Sequence, residues 1–366
     1  MAWHVRNSMG ARRAMMWGVL AVGIGACVVW SGPLNPPAGP ITSTYKTLTE
    51  VEPRIAVNAV NTPGDADSSF KIVSPGSYYL TGNITGEVGK HGIEIASSGV
   101  TLDLNGFDLS GVPAMGAFSG VYSSLFGAHG VVVSNGTVRS WGANGVDLTT
   151  TTFPSRISNV TATDNVGHGI NTGASCLVSG CVAGFNGGNG INGYIGCLII
   201  DSVSTRNTGN GISMQGGSTA SRCSVFQNTL NGIDSTAGGG SVLDCNVRAN
   251  TLDGIRCYSW SLIRGNLCTD NGLAAGDGAG IHATNIKNRI EDNTCSGAER
   301  GIDVDMTGNL IVRNTCSMNS SANWDIAANN ICGPILDRTA PGSAAISGNS
   351  GASSTGTTDP NANFTH

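Results

Sequence analysis

Short alternating runs of apolar and polar residues fill the chain from about residue 70 to residue 335. Two such runs, separated by turn residues, make up the segment LIIDSVSTRNTGNGI from Leu198 to Ile212, and similar segments begin at Ser221 and Val242. Alternation with a period of two predicts β-strands, whereas the intervening Asn and Gly residues predict turns with positive φ. The sequence pattern therefore predicts short strands joined by tight turns.

A Gly-(Ile/Val) pair marks the same point of each repeat. Neighbouring pairs are 21 to 28 residues apart, and their glycines are Gly92, Gly120, Gly145, Gly169, Gly190, Gly211, Gly232, Gly254, Gly280 and Gly301. A repeat of this length predicts stacked coils, each of which contacts its neighbours. We therefore expect one elongated domain of about ten coils, in which the Ile or Val of every pair points into the core.

An Asn residue recurs in the turn before the Gly-Ile pair. Its positions are Asn165, Asn186, Asn207, Asn228, Asn250 and Asn271. Asn tolerates the left-handed backbone region, and stacked amides hydrogen-bond along a column. We expect these six residues to form a structural ladder and not a metal or substrate site.

These features resemble a known repeat family. The Gly-(Ile/Val) pairs, the Asn column and the segment GVTLDLNGFDLSG from Gly99 to Gly111 are similar to the right-handed parallel β-helix repeat family, which has the pectin-lyase-like fold. The segments SPGSYYLTGNITG and GTTDPNANFTH further resemble uncharacterised exported bacterial β-helix proteins. The resemblance implies an all-β, single-stranded right-handed parallel β-helix over residues 70–335. This fold hosts lyases, hydrolases, epimerases and non-enzymes, so it leaves the reaction open.

The two ends of the chain differ from the repeats. Residues 1–31 combine early arginines with an uncharged apolar run, which predicts a signal peptide or, as the alternative, an N-terminal anchor. Cys27 lies in a loose match to a lipoprotein cleavage box. Residues 32–42 form a Pro-rich linker, and residues 43–69 are expected to cap the solenoid, with a helix across Leu48 to Val60. Residues 336–366 are expected to form a C-terminal cap and flexible tail.

Composition narrows the class of protein. The chain has 366 residues, 54 glycines and only 12% charged residues, which disfavours an α-helical solenoid. Its net charge is -5 and it has no basic stripe, so we expect no nucleic-acid partner. We expect a monomer that is secreted, periplasmic or in the cell envelope, and whose membrane contact is limited to an uncleaved or lipidated N-terminus.

The cysteines also follow the repeat. Cys223 and Cys245 share one repeat position, Cys295 and Cys316 share another, and Cys257 falls where the alternation points inward. We expect buried free thiols that fill the core, although strands about 4.8 Å apart leave neighbouring disulfides as an alternative. No CxxC pair occurs in the sequence, which disfavours a zinc site.

One outward-facing patch gathers residues suited to uronic-acid chemistry. The alternation places Asp234, Arg256, Tyr258, His282, Asp303 and Asp305 on four consecutive coils. The arginine can pair with a sugar carboxylate, His282 or Tyr258 can transfer a proton, and the carboxylates can bind Ca²⁺ or act in hydrolysis. Trp260 offers a stacking surface, and the substrate-binding residues would be Asp234 and Trp260. The alternative is a solvated polar face with no cofactor.

Two further features bear on this choice. His168 lies in a Gly-His-Gly sequence that resembles a polygalacturonase motif, but the paired aspartates and Arg-Ile-Lys element of those enzymes are not found, so we interpret it as a repeat position. The longer inserts, Val112 to Ser119 and Leu273 to Ala279, are candidate groove walls. The sequence therefore favours a carbohydrate-binding or structural envelope solenoid without established catalysis. The alternative is a uronan lyase, epimerase or hydrolase that uses the Arg256, His282 and Asp303 face.

Overall fold

The computed structural model describes residues 52–273, 276, 278–339 and 357–366. Within these residues the secondary structure consists of thirty-six strands, numbered β1 to β36 along the chain, and no helix. None of the described residues belongs to a helix long and apolar enough to cross a membrane. The paired strands run parallel, and each coil contributes one strand to each of three columns that we call sheets A, B and C.

Sheet A has twelve strands and contains the Gly-Ile pairs. Its strands are β2 (Ser68–Ile72), β5 (His91–Ile95), β8 (Val121–Ser123), β10 (Val146–Asp147), β12 (Ile170–Asn171), β15 (Ile191–Gly193), β18 (Ile212–Met214), β21 (Ile233–Ser235), β24 (Ile255–Cys257), β27 (Ala279–Ala283), β30 (Arg300–Val304) and β33 (Ala322–Ile326). The strands stack in this order, so the chain forms about twelve coils, close to the ten expected.

Sheets B and C hydrogen-bond as one sheet at the N-terminal end, because β9 (Val132–Arg139) and β11 (Ser155–Thr163) are long enough to belong to both. The other strands of sheet B are β1 (Ile55–Ala56), β3 (Gly76–Tyr79), β6 (Val100–Asp103), β13 (Cys176–Ser179), β16 (Leu198–Ile200), β19 (Thr219–Ser221), β22 (Ser241–Leu243), β25 (Leu262–Arg264), β28 (Arg289–Glu291), β31 (Leu310–Val312) and β34 (Ile331–Cys332). Those of sheet C are β4 (Ile84–Thr85), β7 (Asp108–Ser110), β14 (Val182–Gly184), β17 (Val203–Thr205), β20 (Ser224–Phe226), β23 (Asn246–Arg248), β26 (Leu267–Thr269), β29 (Thr294–Ser296), β32 (Thr315–Ser317), β35 (Ile335–Asp337) and β36 (Asn363–Thr365).

The apolar residue of each Gly-(Ile/Val) pair lies in the core, as expected. Ile233, Ile255, Ile281 and Ile302 are Cα partners on successive strands of sheet A, and all four are fully buried. The glycine of each pair is required because atoms of the neighbouring coil lie very close to its Cα. A Cβ on Gly169 would lie 2.6 Å from Asn186 Nδ2 and 2.7 Å from Gly190 O. Larger residues at this position would therefore force neighbouring coils apart.

Nine of the ten described cysteines are buried, and all ten are free thiols. Cys268, Cys295 and Cys316 are Cα partners on adjacent strands of sheet C, so they form a column inside the core. Burial raises the pKa of Cys176 and Cys257 to about 12. These thiols therefore act as small apolar side chains.

The six expected Asn residues form a buried ladder. The Nδ2 of Asn186 donates to Asn207 Oδ1 at 2.9 Å, and that of Asn207 donates to Asn228 Oδ1 at 3.0 Å. The expected left-handed backbone, however, belongs to the preceding residues. These are Asp164, Phe185, Arg206, Gln227, Ala249 and Asp270, with φ between 53° and 57°. Asn is needed for its amide, which bonds both the coil above and a carbonyl below, and not for its backbone freedom.

Further Asn ladders, which the sequence pattern did not indicate, lie at other corners of the coils. At the turn between sheets B and C, the Nδ2 atoms of Asn266, Asn293 and Asn314 each donate to the next Asn, which for Asn314 is Asn363 near the C-terminus. In the position before each Gly, Asn189 Oδ1 accepts from the backbone N–H of Asn210. Buried turn backbone in this solenoid is thus satisfied by side-chain amides at several corners.

The ends differ from the expectations. Phe70 and Trp324 occupy the Ile position in the first and last coils, so these two coils were not included in the expected ten. The described part of the expected Leu48 to Val60 helix contains a strand, β1, that pairs with β3, so that expectation is wrong from Glu52 onwards. The expected flexible tail ends in β36, which pairs with β32 and β35. The expected signal peptide or anchor, Cys27 and the Pro-rich linker lie outside the described residues.

Candidate functional site

The outward side chains of sheet A form one polar column. On successive coils they are Lys71, Glu94, Tyr122, Asp147, Asn171, Asn192, Ser213, Asp234, Arg256, His282, Asp303 and Asp325. The pairing register therefore stacks the predicted residues on adjacent strands about 4.8 Å apart. The alternation that buries the isoleucines places this column on the opposite face.

His282 lies at the centre of the predicted patch and contacts three carboxylates. Its Nδ1 is 3.0 Å from Asp253 Oδ2, and its Nε2 is 3.1 Å from Asp305 Oδ2 and 4.0 Å from Asp303 Oδ2. Burial opposes the charged ring, but the hydrogen bond and charge of Asp253, with the charges of the other two aspartates, raise the pKa of His282 to about 9. With this pKa His282 is an imidazolium at neutral pH, and both of its ring nitrogens can then donate to carboxylates.

The acidic partner Asp253 was not among the predicted site residues. It occupies the position before Gly254, where other coils carry Asn, and its Oδ1 also accepts from the backbone N–H of Ala279 at 2.8 Å. The signal that could have identified Asp253 is a carboxylate at a position where other coils carry an amide. Asp253 hydrogen-bonds the imidazolium from the coil below.

Asp303 and Asp305 differ in environment. Asp303 is 5% exposed, and burial, against the charges of His282 and Arg300, raises its pKa to about 6. Arg300 Nη1 lies 3.4 Å from Asp303 Oδ2. The Asp305 side chain is about half exposed. Asp303 is thus a buried carboxyl group that is protonated in a fraction of the molecules near neutral pH, whereas Asp305 is exposed to solvent.

Asp234 and Arg256 lie on the two coils below. Arg256 Nη1 is 4.0 Å from Asp234 Oδ1, and that buried oxygen has no hydrogen-bond partner among the described residues. Burial raises the pKa of Asp234. The pair is therefore loosely associated, which leaves the guanidinium, 42% exposed as a side chain, with donors available to a ligand.

The aromatic residues flank this column. Tyr258 follows β24 and Trp260 lies in the next turn, and the two residues are 45% and 67% exposed. The structure thus brings together His282, Asp303 and Asp305 directly, Asp234 with Arg256 as a second pair, and Tyr258 and Trp260 at the margin.

A cation site is the other arrangement suggested by the sequence. One ligand atom from each of His282, Asp303 and Asp305 lies within 4.8 Å of the others. Ca²⁺ prefers oxygen ligands, and a protonated imidazole donates its hydrogens and repels a cation. The two carboxylates fit Ca²⁺, whereas His282 in its protonated state does not.

The structure assigns His168 to a ladder. Its Nδ1 accepts from the backbone N–H of Asn189 at 2.8 Å, and its backbone N–H donates to Asn144 Oδ1 at 2.7 Å. Burial lowers the pKa of His168. This histidine therefore replaces an Asn amide between coils, in agreement with its interpretation as a repeat position.

The two inserts that were expected to form groove walls make contacts in different parts of the solenoid. In the first, Met115 is buried and the Phe118 ring packs edge-on against His91, 5.0 Å between centroids. In the described part of the second, the N–H groups of Gly276 and Gly278 donate to Glu299 Oε2 at 3.2 and 3.4 Å. The first insert thus packs onto its own coil and not over His282.

A second polar cluster lies at the N-terminal end of the same column. Lys71 Nζ is 2.7 Å from Asp65 Oδ2 and 2.9 Å from Glu94 Oε1, and the His91 and Tyr122 rings stack 4.2 Å apart. The His91 Nδ1 accepts from the backbone N–H of Ser119, which leaves Nε2–H as an outward donor in the neutral ring. Lys71 was not among the predicted residues, because Phe70 replaces the Gly-Ile pair in that coil.

Comparisons with known proteins identify the fold. No family model and no curated protein matches this chain. Among solved structures, it is similar to the A-module of the Azotobacter vinelandii mannuronan C-5 epimerase AlgE4, with a TM-score of 0.54 and 16% identity over 71% of this chain and 91% of that one. A tailspike protein of E. coli bacteriophage HK620 in complex with a pentasaccharide matches with a TM-score of 0.48 and 12% identity, covering 79% of this chain and 66% of that one. The periplasmic alginate epimerase AlgG matches with a TM-score of 0.42 and 13% identity, over 69% and 70%. The chain therefore has the pectate-lyase-like parallel β-helix fold.

Proposed function

We propose that this protein binds a polysaccharide along the outward face of sheet A, with its main contacts around Arg256 and His282. The observation that carries the proposal is the unbroken polar column of sheet A with exposed rings beside it. Twelve coils give a track of roughly 50 Å, and its charged, amide and hydroxyl groups can hydrogen-bond sugar hydroxyls. Tyr258 and Trp260 supply apolar faces for sugar rings.

The charge of the patch limits the type of saccharide. Among the described residues, the cations paired with Asp234, Asp253, Asp303, Asp305 and Asp325 are Arg256, Arg300 and the His282 imidazolium. With every group ionised this is five negative against three positive charges, so the patch suits a neutral saccharide better than a polyanion. Similarity to a structure named as a mannuronan epimerase supports a polysaccharide as the class of ligand, but not uronic acid in particular.

Binding is tested with ring-removing variants. Trp260→Ala and Tyr258→Ala should each weaken binding of a neutral oligosaccharide identified from a polysaccharide panel by about five- to thirtyfold, which corresponds to about 1–2 kcal/mol. Phe126→Ala is the matched control, because this residue is 82% exposed but lies six coils away from Trp260. Equal affinity in all three variants, measured by titration calorimetry, would refute the proposal that this face binds the saccharide.

Glycoside hydrolysis at Asp303 is a second candidate, favoured by the raised pKa of that residue. A buried carboxyl with a pKa of about 6 can donate a proton to a glycosidic oxygen, and the exposed Asp305 carboxylate can accept one from water. A lyase or epimerase mechanism with His282 as the base fits less well, because the imidazolium has no free lone pair. Asp303→Asn should abolish release of reducing ends and leave binding within about twofold. Unchanged turnover would refute this candidate.

Ca²⁺ binding and export complete the proposal. Ca²⁺ would bind through Asp303 and Asp305 and would have to displace the hydrogen bonds to His282. Calorimetric titration of chelator-treated protein with CaCl₂, repeated on Asp305→Asn, measures this. Export rests on the sequence of residues 1–31 and is checked by N-terminal sequencing of the mature protein.

A further inference from the structure

A cleft on sheet C lies away from the patch on sheet A. It has a volume of about 410 Å³ and its lining includes Arg206, Phe226, Gln227, Asn246 and Arg248. Pockets of this size accommodate a small-molecule ligand or one sugar unit. None of the residues that line it belongs to the polar column described above.

The repeat explains why a cleft forms here. Thr205, Phe226 and Arg248 are Cα partners on β17, β20 and β23, and each is followed by a residue with positive φ. In that turn column Arg206 and Gln227 have long side chains, whereas the next coil has Ala249. The short alanine leaves a gap beside the long side chains, and Phe226 is among the residues that line it.

The charge of the cleft is positive. Arg206 has no ion pair among the described residues, and its Cζ lies 5.4 Å from the centroid of the Phe185 ring. Arg248 Nε is 3.4 Å from Asp270 Oδ2, with both side chains more than half exposed, so solvent screens this pair strongly. No carboxylate lines the cleft, which makes it the opposite of the acidic patch on sheet A.

We infer that this cleft binds a carboxylate-bearing sugar unit of an acidic polysaccharide. Guanidinium groups recognise carboxylates through paired charge-assisted hydrogen bonds. The Gln227 and Asn246 amides can hydrogen-bond hydroxyl groups, and the Phe226 ring covers the apolar face of a sugar. Arg206 and Arg248 lie two coils apart, about 10 Å along the axis, so each can contact a carboxylate on a different sugar of one chain.

The experiment measures binding of a galacturonate hexamer by titration calorimetry, with a neutral cello-hexaose and a heparin hexasaccharide as parallel ligands. Arg206→Ala and Arg248→Ala should each weaken galacturonate binding about tenfold or more, because each removes a charge-assisted contact. Arg156→Ala removes another exposed arginine, from sheet B, and should change the affinity by less than twofold. Equal losses in all three variants would indicate a general charge effect and overturn the site.

A second variant tests the cleft without altering its charge. Ala249→Gln places in the gap the residue that the coil below already carries at φ 57°, so the fold tolerates it. It should abolish galacturonate binding while circular dichroism and melting stay unchanged. Retained galacturonate binding by Ala249→Gln, or binding of heparin but not of galacturonate by the wild type, would overturn the inference. Because Tyr258 and Trp260 flank the outward column of sheet A and do not line the cleft, their variants should leave galacturonate affinity intact, so failure here and failure of the proposed function are separable.

Discussion

Replacing Asn207 by alanine removes one rung of the buried Asn ladder at the middle of the solenoid. Its Oδ1 accepts from the backbone N–H and the Nδ2 of Asn186 at 3.0 and 2.9 Å. Its Nδ2 donates to Ala183 O, Ser204 Oγ and Asn228 Oδ1 at 3.0 to 3.1 Å. Asn207 is fully buried, so water cannot replace these partners without opening the coil.

The expected cost follows from those contacts. A buried N–H that loses its acceptor, here that of Asn186, costs about 1–3 kcal/mol, and each of the donor bonds to Ala183 and Asn228 contributes about 1 kcal/mol net. We therefore expect the free energy of unfolding to fall by about 3–5 kcal/mol. Urea unfolding measures the total, and amide hydrogen exchange shows whether the loss is concentrated in the coils of Asn186, Asn207 and Asn228, as expected for a solenoid with nearest-neighbour coupling.

Asn171→Ala is the matched control. Asn171 lies on the outward face of sheet A, is part-exposed, and accepts one hydrogen bond, from Asn192 Nδ2 at 2.8 Å. Its loss should cost less than about 1 kcal/mol. If Asn207→Ala destabilises the protein no more than Asn171→Ala does, the ladder is not a source of stability and the reasoning fails.

Three further outcomes are expected. Ile255→Asp should destabilise the protein by about 4 kcal/mol or more because it buries a carboxylate without a partner, whereas Ile255→Val should cost about 1 kcal/mol; similar melting of wild type and Ile255→Asp would contradict the core assignment. The pKa of His282 is raised from 6.5 to about 9, so its imidazolium stabilises the fold fully below pH 6.5 and this contribution is lost as the pH rises through 9. His282→Gln should therefore be less stable than wild type at pH 6, by about 2 kcal/mol, and nearly equal at pH 10; a difference independent of pH would argue against the charged ring. In protein carrying Cys27→Ser, a thiol reagent should modify Cys332 first and the nine buried thiols only after unfolding, and rapid reaction of several thiols in the folded protein would contradict their burial.

The repeat itself was readable because each coil uses the same physical solution. Ile255 and its equivalents are predictable since a parallel strand with one buried face must alternate, and Asn207 since its amide is needed at the same corner of every coil. The assignment of positive φ to the six ladder Asn residues was wrong, because Phe185, Arg206 and their equivalents adopt it instead. Two adjacent residues form each corner, and only one of them has positive φ. The residue types alone do not show which of the two it is.

The sequence by itself determined the all-β solenoid, its approximate number of coils, its apolar core and the outward column that contains Arg256, His282 and Asp303. Periodicity sufficed there because register in a stacked fold repeats. Only the tertiary structure decided that Asp253 holds His282 in its charged form, that Asp303 is buried, and that Ala249 opens a cleft between two arginines. Protonation and cavities depend on side chains from different coils meeting in three dimensions, and those distances have no counterpart in the spacing along one chain.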